Sequence, residues 1–237
     1  MDIVIDFLVA PYKNTSFIYI LLEFVAAFLG VLSVFYAKKE DIKVYPTGII
    51  STGLYIFLLY RWQLFGDLII NIYYTMMSIY GWYMWARISN SNSEGKLLVS
   101  KLTLHDYIIS ILIFVFSSAF VLLMYLLFDV ISVDMNFTQT LHYIWIHISS
   151  GSVLEFRKVT PYLDTFTTGA AFAAMWMMAN KKLESWILWI AVNIVSIPLY
   201  FVKGFGFTGI QYFVFLVLAF LGYKAWRDSL KNNSCLE

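Results

Sequence analysis

Gly81-Trp82-Tyr83-Met84-Trp85 and Gly222-Tyr223-Lys224-Ala225-Trp226 repeat one pattern, in which a glycine and an aromatic residue precede a tryptophan. The two copies are 141 positions apart, and the same shift places Ile49 on Ile190 without a gap. Identity between the two halves is low, but the apolar segments and the short loops that join them stay in register. The sequence therefore predicts a three-helix unit that occurs twice in one chain.

The composition is that of a protein that crosses a membrane several times. The chain has 237 residues, of which 61% are hydrophobic and 13% charged, and its mean hydropathy is +0.75. Soluble domains average about half apolar and about a quarter charged residues. The formal net charge of +1 gives no indication of a nucleic-acid partner. About 20 helical residues cross the hydrocarbon core, and seven apolar stretches approach or exceed that length: about 16–37, 44–60, 64–86, 105–130, 161–179, 183–202 and 205–226.

Successive loops are expected to lie on alternate sides of the membrane, and Lys and Arg are distributed unequally between the two sides. Because cytoplasmic loops carry an excess of Lys and Arg, we expect the C-terminus in the cytoplasm and the N-terminus outside. The lone Cys235 lies on the predicted inner tail, so no disulfide framework is expected. The outer group of five is Lys13, Arg61, Arg157, Lys158 and Lys203, and the inner group of eleven is Lys38, Lys39, Lys43, Arg87, Lys96, Lys101, Lys181, Lys182, Lys224, Arg227 and Lys231.

The fourth apolar stretch, residues 105–130, has no counterpart in the repeat. A three-span unit that is repeated directly would be inverted in the membrane, and one linking span restores the same orientation to both copies. The expected fold class is an all-α membrane protein with seven transmembrane helices, arranged 3+1+3 with parallel repeats, as in the SWEET sugar transporters. Two equivalent halves can enclose a site and rock about it, which favours a transporter. The expected divisions are an N-terminal interfacial segment (1–15), a first three-helix repeat (16–86), a cytoplasmic loop with the linking helix and an outer loop (87–160), a second repeat (161–226) and a cytoplasmic tail (227–237).

Polar and aromatic residues recur at helical spacing within four of the predicted spans. Such groups are costly in hydrocarbon and usually face the bundle interior, so each set marks a candidate site face. Gly48 of the first repeat is the counterpart of Trp189 of the second. This pairing predicts that the bulky Trp189 ring of one half meets empty space in the other half. The sixth span carries Trp186, Trp189, Asn193, Ser196 and Tyr200, and the second carries Tyr45, Gly48, Thr52, Tyr55 and Leu59. The third span carries Asn71, Tyr74, Ser78, Trp82 and Trp85, the seventh carries Gln211, Tyr212 and Phe215, and Gln63 lies at the mouth of the third.

A structural role is the competing interpretation for several of these residues. Trp82, Trp85 and Trp226 lie at predicted helix ends, where indoles populate the interfacial belt. The amides of the candidate faces are also able to bond neighbouring helices, and Glu23 and Asp67 lie near span ends, where a solvated carboxylate is the simpler interpretation. The sequence carries no Ser–His–acid set, no metal-ligand spacing and no nucleotide-binding motif. Neither an enzyme nor a cofactor or metal site is therefore expected.

Two longer motifs give the chain a family resemblance. Together and at this separation, they resemble the PnuC vitamin transporters over about residues 16–228. The resemblance implies the same 3+1+3 fold and a homotrimer in the bacterial inner membrane. It also implies uptake of nicotinamide riboside for NAD biosynthesis by facilitated diffusion, made one-way when a cytoplasmic kinase phosphorylates the riboside. The first motif is Asn71-Ile72-Tyr73-Tyr74 running into Tyr80-Gly81-Trp82-Tyr83-Met84-Trp85, and the second is Trp186-Ile187-Leu188-Trp189 running through Asn193 into Ser196-Ile197-Pro198-Leu199-Tyr200 and Lys203-Gly204.

The resemblance also implies roles for individual residues. Trp186 and Trp189 match the Trp-x-x-Trp motif that is associated with substrate binding in the family. Asn193 and Tyr200 follow this motif in place. The full candidate binding set is Trp186, Trp189, Asn193, Tyr200, Asn71, Tyr74, Gln211, Gln63, Thr52 and Tyr55.

These side chains suit a ligand with a cationic ring, a carboxamide and a ribose. Indole and phenol faces attract a desolvated ring cation by roughly 1–2 kcal/mol per contact, and Asn and Gln pair with carboxamide and hydroxyl groups. Thiamine and riboflavin, which related carriers of the family take, fit the same chemistry. A SWEET-like sugar uniporter and a membrane protein without transport activity are further alternatives. Because the candidate faces carry no carboxylate, we expect a uniporter without ion coupling, whose partners are its ligand and the lipid bilayer.

Overall fold

The structure is a computed structural model, and it describes residues 16–62, 65–91, 97–128, 138–139, 142–143, 145–146, 156–202 and 206–233. Within these residues seven long α-helices form the bundle, so the predicted all-α, seven-helix fold is confirmed. The expected interfacial segment (1–15), Gln63 and Cys235 lie outside the described residues. The helices are α1 (Phe17–Lys38), α2 (Val44–Arg61), α3 (Phe65–Ser91), α4 (Leu104–Phe128), α5 (Phe156–Ala179), α6 (Ser185–Val202) and α7 (Gly206–Asn233).

Three helices extend well beyond the apolar stretches that predicted them, and α3 continues past residue 86 to Ser91. α5 begins at Phe156 rather than at Pro161, which therefore lies inside the helix. α7 continues past Trp226 to Asn233. Hydropathy marks the part of a helix that suits lipid, whereas backbone hydrogen bonds continue into the aqueous layer. Within the part of the chain that the structure describes, three helical segments are by length and composition long and apolar enough to cross a membrane: Phe17–Lys38, Leu104–Tyr125 and Phe207–Asn232.

The helices make equivalent contacts in the two triplets, α1–α3 and α5–α7. Within the first triplet α2 contacts both α1 and α3, and within the second α6 contacts both α5 and α7. Between the triplets, α1 contacts α7 and α5 contacts α3. Exchanging α1, α2 and α3 with α5, α6 and α7 maps these contacts onto themselves. The linking helix α4 packs against α5. The residue boundaries of the repeats remain a prediction.

The repeated glycine permits a close approach between helices in each triplet. A Cβ atom on Gly81 would lie 2.5 Å from Cε1 of Tyr45, and one on Gly222 would lie 2.5 Å from Cη2 of Trp186. Tyr45 and Trp186 are repeat counterparts, each near the start of the second helix of its triplet. In each triplet, a ring of the second helix therefore packs directly against a glycine of the third helix. Any larger residue at the glycine position would clash with this ring.

Trp85 and Trp226 are buried, which corrects the expectation that they lie in the interfacial belt. Their exposed fractions are 5% and 0%. Trp85 Nε1 donates a hydrogen bond to the Ala179 carbonyl (3.0 Å), and Trp226 Nε1 donates one to the Ala37 carbonyl (2.9 Å). Each indole thus reaches the first helix of the opposite triplet and binds a carbonyl in its last turn, and the Ala37 carbonyl also accepts a hydrogen bond from Glu40 N (3.0 Å). Trp82, which is 42% exposed, fits the belt interpretation.

Candidate functional site

Three aromatic side chains from α3, α5 and α6 meet inside the bundle, and we call Tyr74, Phe172 and Trp189 the aromatic cluster. The ring of Tyr74 lies 6.2 Å from that of Phe172 and 6.4 Å from that of Trp189, at interplanar angles of 62° and 64°. Both are edge-on geometries, which suit the quadrupoles of the rings. Trp189 Nε1 is buried and has no hydrogen-bond partner among the described residues. The cluster therefore combines aromatic faces with an N–H group that is available to an acceptor.

Phe172 is held in this cluster by Tyr73. Their rings are stacked at 3.8 Å with an interplanar angle of 8°, and the Tyr73 hydroxyl donates a hydrogen bond to the Phe172 carbonyl (3.0 Å). Sequence reasoning did not select Phe172, because its repeat counterpart is Val31 and no polar residue recurs with it. The available signal was one large ring within a run of small residues, Gly169, Ala170, Ala171, Ala173 and Ala174.

A polar row continues from the aromatic cluster along α6. Asn193 follows Trp189 by one turn and is 3% exposed, and Ser196 is 2% exposed. Farther along, the ring of Tyr200 stacks on that of Tyr212 from α7 at 4.9 Å and 17°. The hydroxyls of Tyr200 and Ser196 are hydrogen-bonding partners of the Tyr212 hydroxyl. The structure therefore links the far end of the predicted α6 face to α7.

Gln211 and Tyr55, both selected from the sequence, meet across the two triplets. The Gln211 side chain is a hydrogen-bonding partner of the Tyr55 hydroxyl. Gln211 also lies beside α1, since its Nε2 would be 3.7 Å from a Cβ atom on Gly30. The two residues thus join α7 to α2 near the stacked tyrosines, in agreement with their predicted position inside the bundle.

Thr52 and Asn71 bond to protein groups of the first triplet. The Thr52 hydroxyl lies 2.6 Å from the Thr75 hydroxyl, which joins α2 to α3. Asn71 Nδ2 donates to the Asp67 carbonyl one turn earlier in its own helix (2.9 Å). The amide oxygen and one N–H of Asn71 are not used by this bond. Substrate contacts for both residues stay a prediction.

Gly48 does not provide the empty space that was expected opposite Trp189. A Cβ atom on Gly48 would have the hydroxyl oxygens of Ser33 (3.0 Å) and Ser78 (3.6 Å) as its nearest contacts. Ser33 itself donates to the Val44 carbonyl at 2.7 Å. The glycine instead allows α1, α2 and α3 to approach one another closely.

Trp186 belongs to a second buried group of rings, against which Trp189 of the aromatic cluster also packs. Trp186 is 1% exposed, and its ring meets that of Trp226 edge-on at 5.5 Å. The buried rings of Tyr45, Trp85, Trp186 and Trp226 lie at the end of the bundle where α1, α3, α5 and α7 terminate. We call this end of the bundle the tryptophan end. A direct role for Trp186 in binding stays a prediction.

A family profile described as "Nicotinamide mononucleotide transporter" matches residues 20–228. The chain belongs to this family. It is 23% identical over 215 residues to "Nicotinamide riboside transporter PnuC" of Escherichia coli, which covers 89% of this chain and 87% of that protein. A protein of the same name from Neisseria mucosa is 26% identical over 220 residues, with 89% of this chain and 73% of the relative covered. The family predicted from the two motifs is therefore confirmed.

A further relative and a solved structure complete the comparison. The "Riboflavin/roseoflavin transporter RibM" of Streptomyces davaonensis is 22% identical over 204 residues, covering 86% of this chain and 83% of that protein. A structure described as "Crystal structure of the Vitamin B3 transporter PnuC" matches with a TM-score of 0.62 and 24% identity, over 97% of this chain and 90% of that one. This likeness confirms the fold, and the membership of a transporter family with apolar helices supports a multi-pass protein of the inner membrane.

Proposed function

We propose that this protein carries nicotinamide riboside into the cell by facilitated diffusion. The aromatic cluster, with the free Trp189 Nε1 and the buried Asn193 beside it, is the observation that supports the proposal. Aromatic faces attract a pyridinium ring, and the indole N–H and the amide match the carboxamide and the ribose hydroxyls. Phosphorylation by a cytoplasmic kinase would trap the riboside and make net uptake one-way. A homotrimer without enzymatic activity is part of the same proposal.

Charge favours the riboside over the mononucleotide named in the family description. The side chains of the proposed site are uncharged: Tyr74, Phe172, Trp189, Asn193, Ser196, Tyr200, Gln211 and Tyr212. The carboxylates of Asp67 and Asp164 lie close enough to act electrostatically on Tyr200. Nearby negative charge attracts a pyridinium cation and repels the phosphate dianion of a mononucleotide.

Riboflavin is the second candidate, because the relative named RibM spans most of the chain. A flavin is flat and aromatic, so it fits the stacking chemistry of the aromatic cluster. It carries no fixed positive charge and is larger than a nicotinamide ring. Competition between the two ligands at one site therefore separates these candidates.

In liposomes, the purified protein should equilibrate labelled nicotinamide riboside down its gradient. Because no ion coupling is proposed, the rate and the end point should not change when proton or sodium gradients are collapsed. Unlabelled riboside should compete with the label, whereas nicotinamide mononucleotide should not. Accumulation above equilibrium without a trapping enzyme would contradict the uniporter, and stronger competition by riboflavin would favour the second candidate.

We propose that the tryptophan end faces the cytoplasm, with the C-terminus inside and the N-terminus outside. This end carries Lys38, Lys39, Lys181 and Lys182, in accordance with the positive-inside bias. A reporter that is active only in the cytoplasm should be active when fused after Glu237 and inactive when fused before Asp2. Equal activity of the two fusions, at matched protein levels, would contradict an odd number of spans.

A further inference from the structure

The two triplets are joined at the tryptophan end by an ion pair between repeat counterparts. Lys181 Nζ lies 2.9 Å from Glu40 Oε2, and the two residues are 141 positions apart, which is the repeat shift itself. Glu40 follows the end of α1 and Lys181 follows the end of α5. Both have left-handed backbone angles, with φ of 55° and 50°, which is unusual for residues other than glycine. Equivalent turns thus meet with opposite charges.

The cation of this pair is almost fully buried against the tryptophan end. The Lys181 side chain is 3% exposed and that of Glu40 is 24% exposed. Lys181 Nζ also lies 4.3 Å from the centre of a Trp85 ring, a favourable position for a cation over an indole face. Beneath the pair, Trp226 is 0% and Trp186 1% exposed, so solvent does not reach between the triplets here.

The turn that carries Lys181 is anchored to the segment that precedes α4. Ser100 N donates to the Lys181 carbonyl (3.1 Å), and Leu183 N donates to the Ser100 carbonyl (3.0 Å). Lys182 adds an ion pair with Asp106 at 2.8 Å. The linking helix has no counterpart in the repeat, so this anchor distinguishes the turn of Lys181 from that of Glu40.

The tryptophan end also contains buried polar groups that lack a hydrogen-bond partner within the described part of the chain. Tyr45 Oη, Ser185 Oγ and Trp186 Nε1 are buried without a hydrogen-bond partner among the described residues. Buried polar groups without partners are unfavourable relative to their hydration in water. Opening of this end would hydrate all three, which lowers the free-energy cost of separating the buried rings.

We propose that the Glu40–Lys181 pair is the lock of a gate at the tryptophan end, and that it breaks each time the carrier opens to the cytoplasm. The pair and the Trp85 contact favour the closed state, while the unsatisfied polar groups favour the open one. This inference rests on the proposed carrier mechanism and topology. Its test uses no transported substrate, so its failure is distinguishable from failure of the proposed function.

The test measures how often the gate opens. Cys235 is the sole cysteine, so Cys235→Ser provides a background in which Ser185→Cys, at a 0% exposed position, is the single reactive site. N-ethylmaleimide should label it slowly in purified protein in liposomes. Glu40→Gln removes the carboxylate that accepts the hydrogen bond from Lys181 Nζ, and labelling should accelerate roughly 10- to 100-fold, the range for losing a hydrogen bond to a charged group. An unchanged rate in this variant would overturn the proposal.

Two further variants separate the lock from a general loss of folding. Lys181→Met removes the pair but leaves Glu40 partly hydrated, so labelling should accelerate less than in Glu40→Gln. The exchange Glu40→Lys with Lys181→Glu restores an ion pair between equivalent turns but places a carboxylate instead of a cation beside the Trp85 ring. Labelling should therefore be slower than in Glu40→Gln, although not as slow as in the background protein. Size-exclusion profiles must match the background protein in every variant. Labelling of the exchanged variant as fast as Glu40→Gln would overturn the proposal.

Discussion

Trp226→Ala is expected to destabilise the protein severely, by about 3–5 kcal/mol, which is typical for removal of a large buried aromatic side chain. The indole is 0% exposed and contacts the rings of Trp85 and Trp186 at 6.4 and 5.5 Å. Its loss leaves a cavity and removes one of the hydrogen bonds that the Ala37 carbonyl accepts. Thermal unfolding followed by size-exclusion chromatography in detergent measures the effect as a lower midpoint and a loss of monodisperse protein.

Trp82→Ala is the matched control, because this indole is 42% exposed near the end of the counterpart helix α3. It should shift the unfolding midpoint much less than Trp226→Ala. Trp226→Phe keeps most of the ring and removes the N–H donor, so an intermediate loss should report the hydrogen bond to Ala37. Equal midpoints for Trp226→Ala and Trp82→Ala would contradict the burial of Trp226 and restore the interfacial interpretation.

Trp189→Ala should weaken binding of nicotinamide riboside roughly 5- to 150-fold. This range corresponds to a stacking face worth about 1–3 kcal/mol, at about 1.4 kcal/mol per decade in affinity. Asn193→Leu should also weaken binding, because it removes a buried hydrogen-bonding group while the helix is retained. Calorimetric titration of folded, monodisperse variants is the measurement. Unchanged affinity in both variants would remove α6 from the binding site.

Ile194→Ala provides the control on the same helix, since this side chain is 52% exposed and lies next to Asn193. Its affinity for the riboside should equal that of the unmodified protein. Trp189→Phe separates the ring from the unpartnered Nε1, because it preserves an aromatic face and removes the donor. Loss of affinity in Trp189→Phe close to that in Trp189→Ala would assign the main contribution to the N–H group rather than to stacking.

The repeat, the seven helices and the polar faces follow from local properties of the sequence. Apolar length identifies a span, and helical spacing places Trp189, Asn193 and Tyr200 on one face without knowledge of any partner. The 141-residue shift likewise relates Tyr45 to Trp186 and Gly81 to Gly222. These features depend on neighbours within one helix or on a comparison of the chain with itself.

Contacts between the triplets are decided by the tertiary structure alone. Trp85 and Trp226 lie at predicted helix ends, as interfacial tryptophans do, but they bond to carbonyls that are 94 and 189 positions away. Nothing local to Phe172 indicates that Tyr73 stacks on it from 99 positions away. Which helix a face meets depends on how the two triplets pack together, and helical periodicity specifies a direction but not the partner. The sequence by itself therefore determined the repeated unit and its inward faces, whereas the packing of one unit against the other decided which rings meet in the aromatic cluster and which at the tryptophan end.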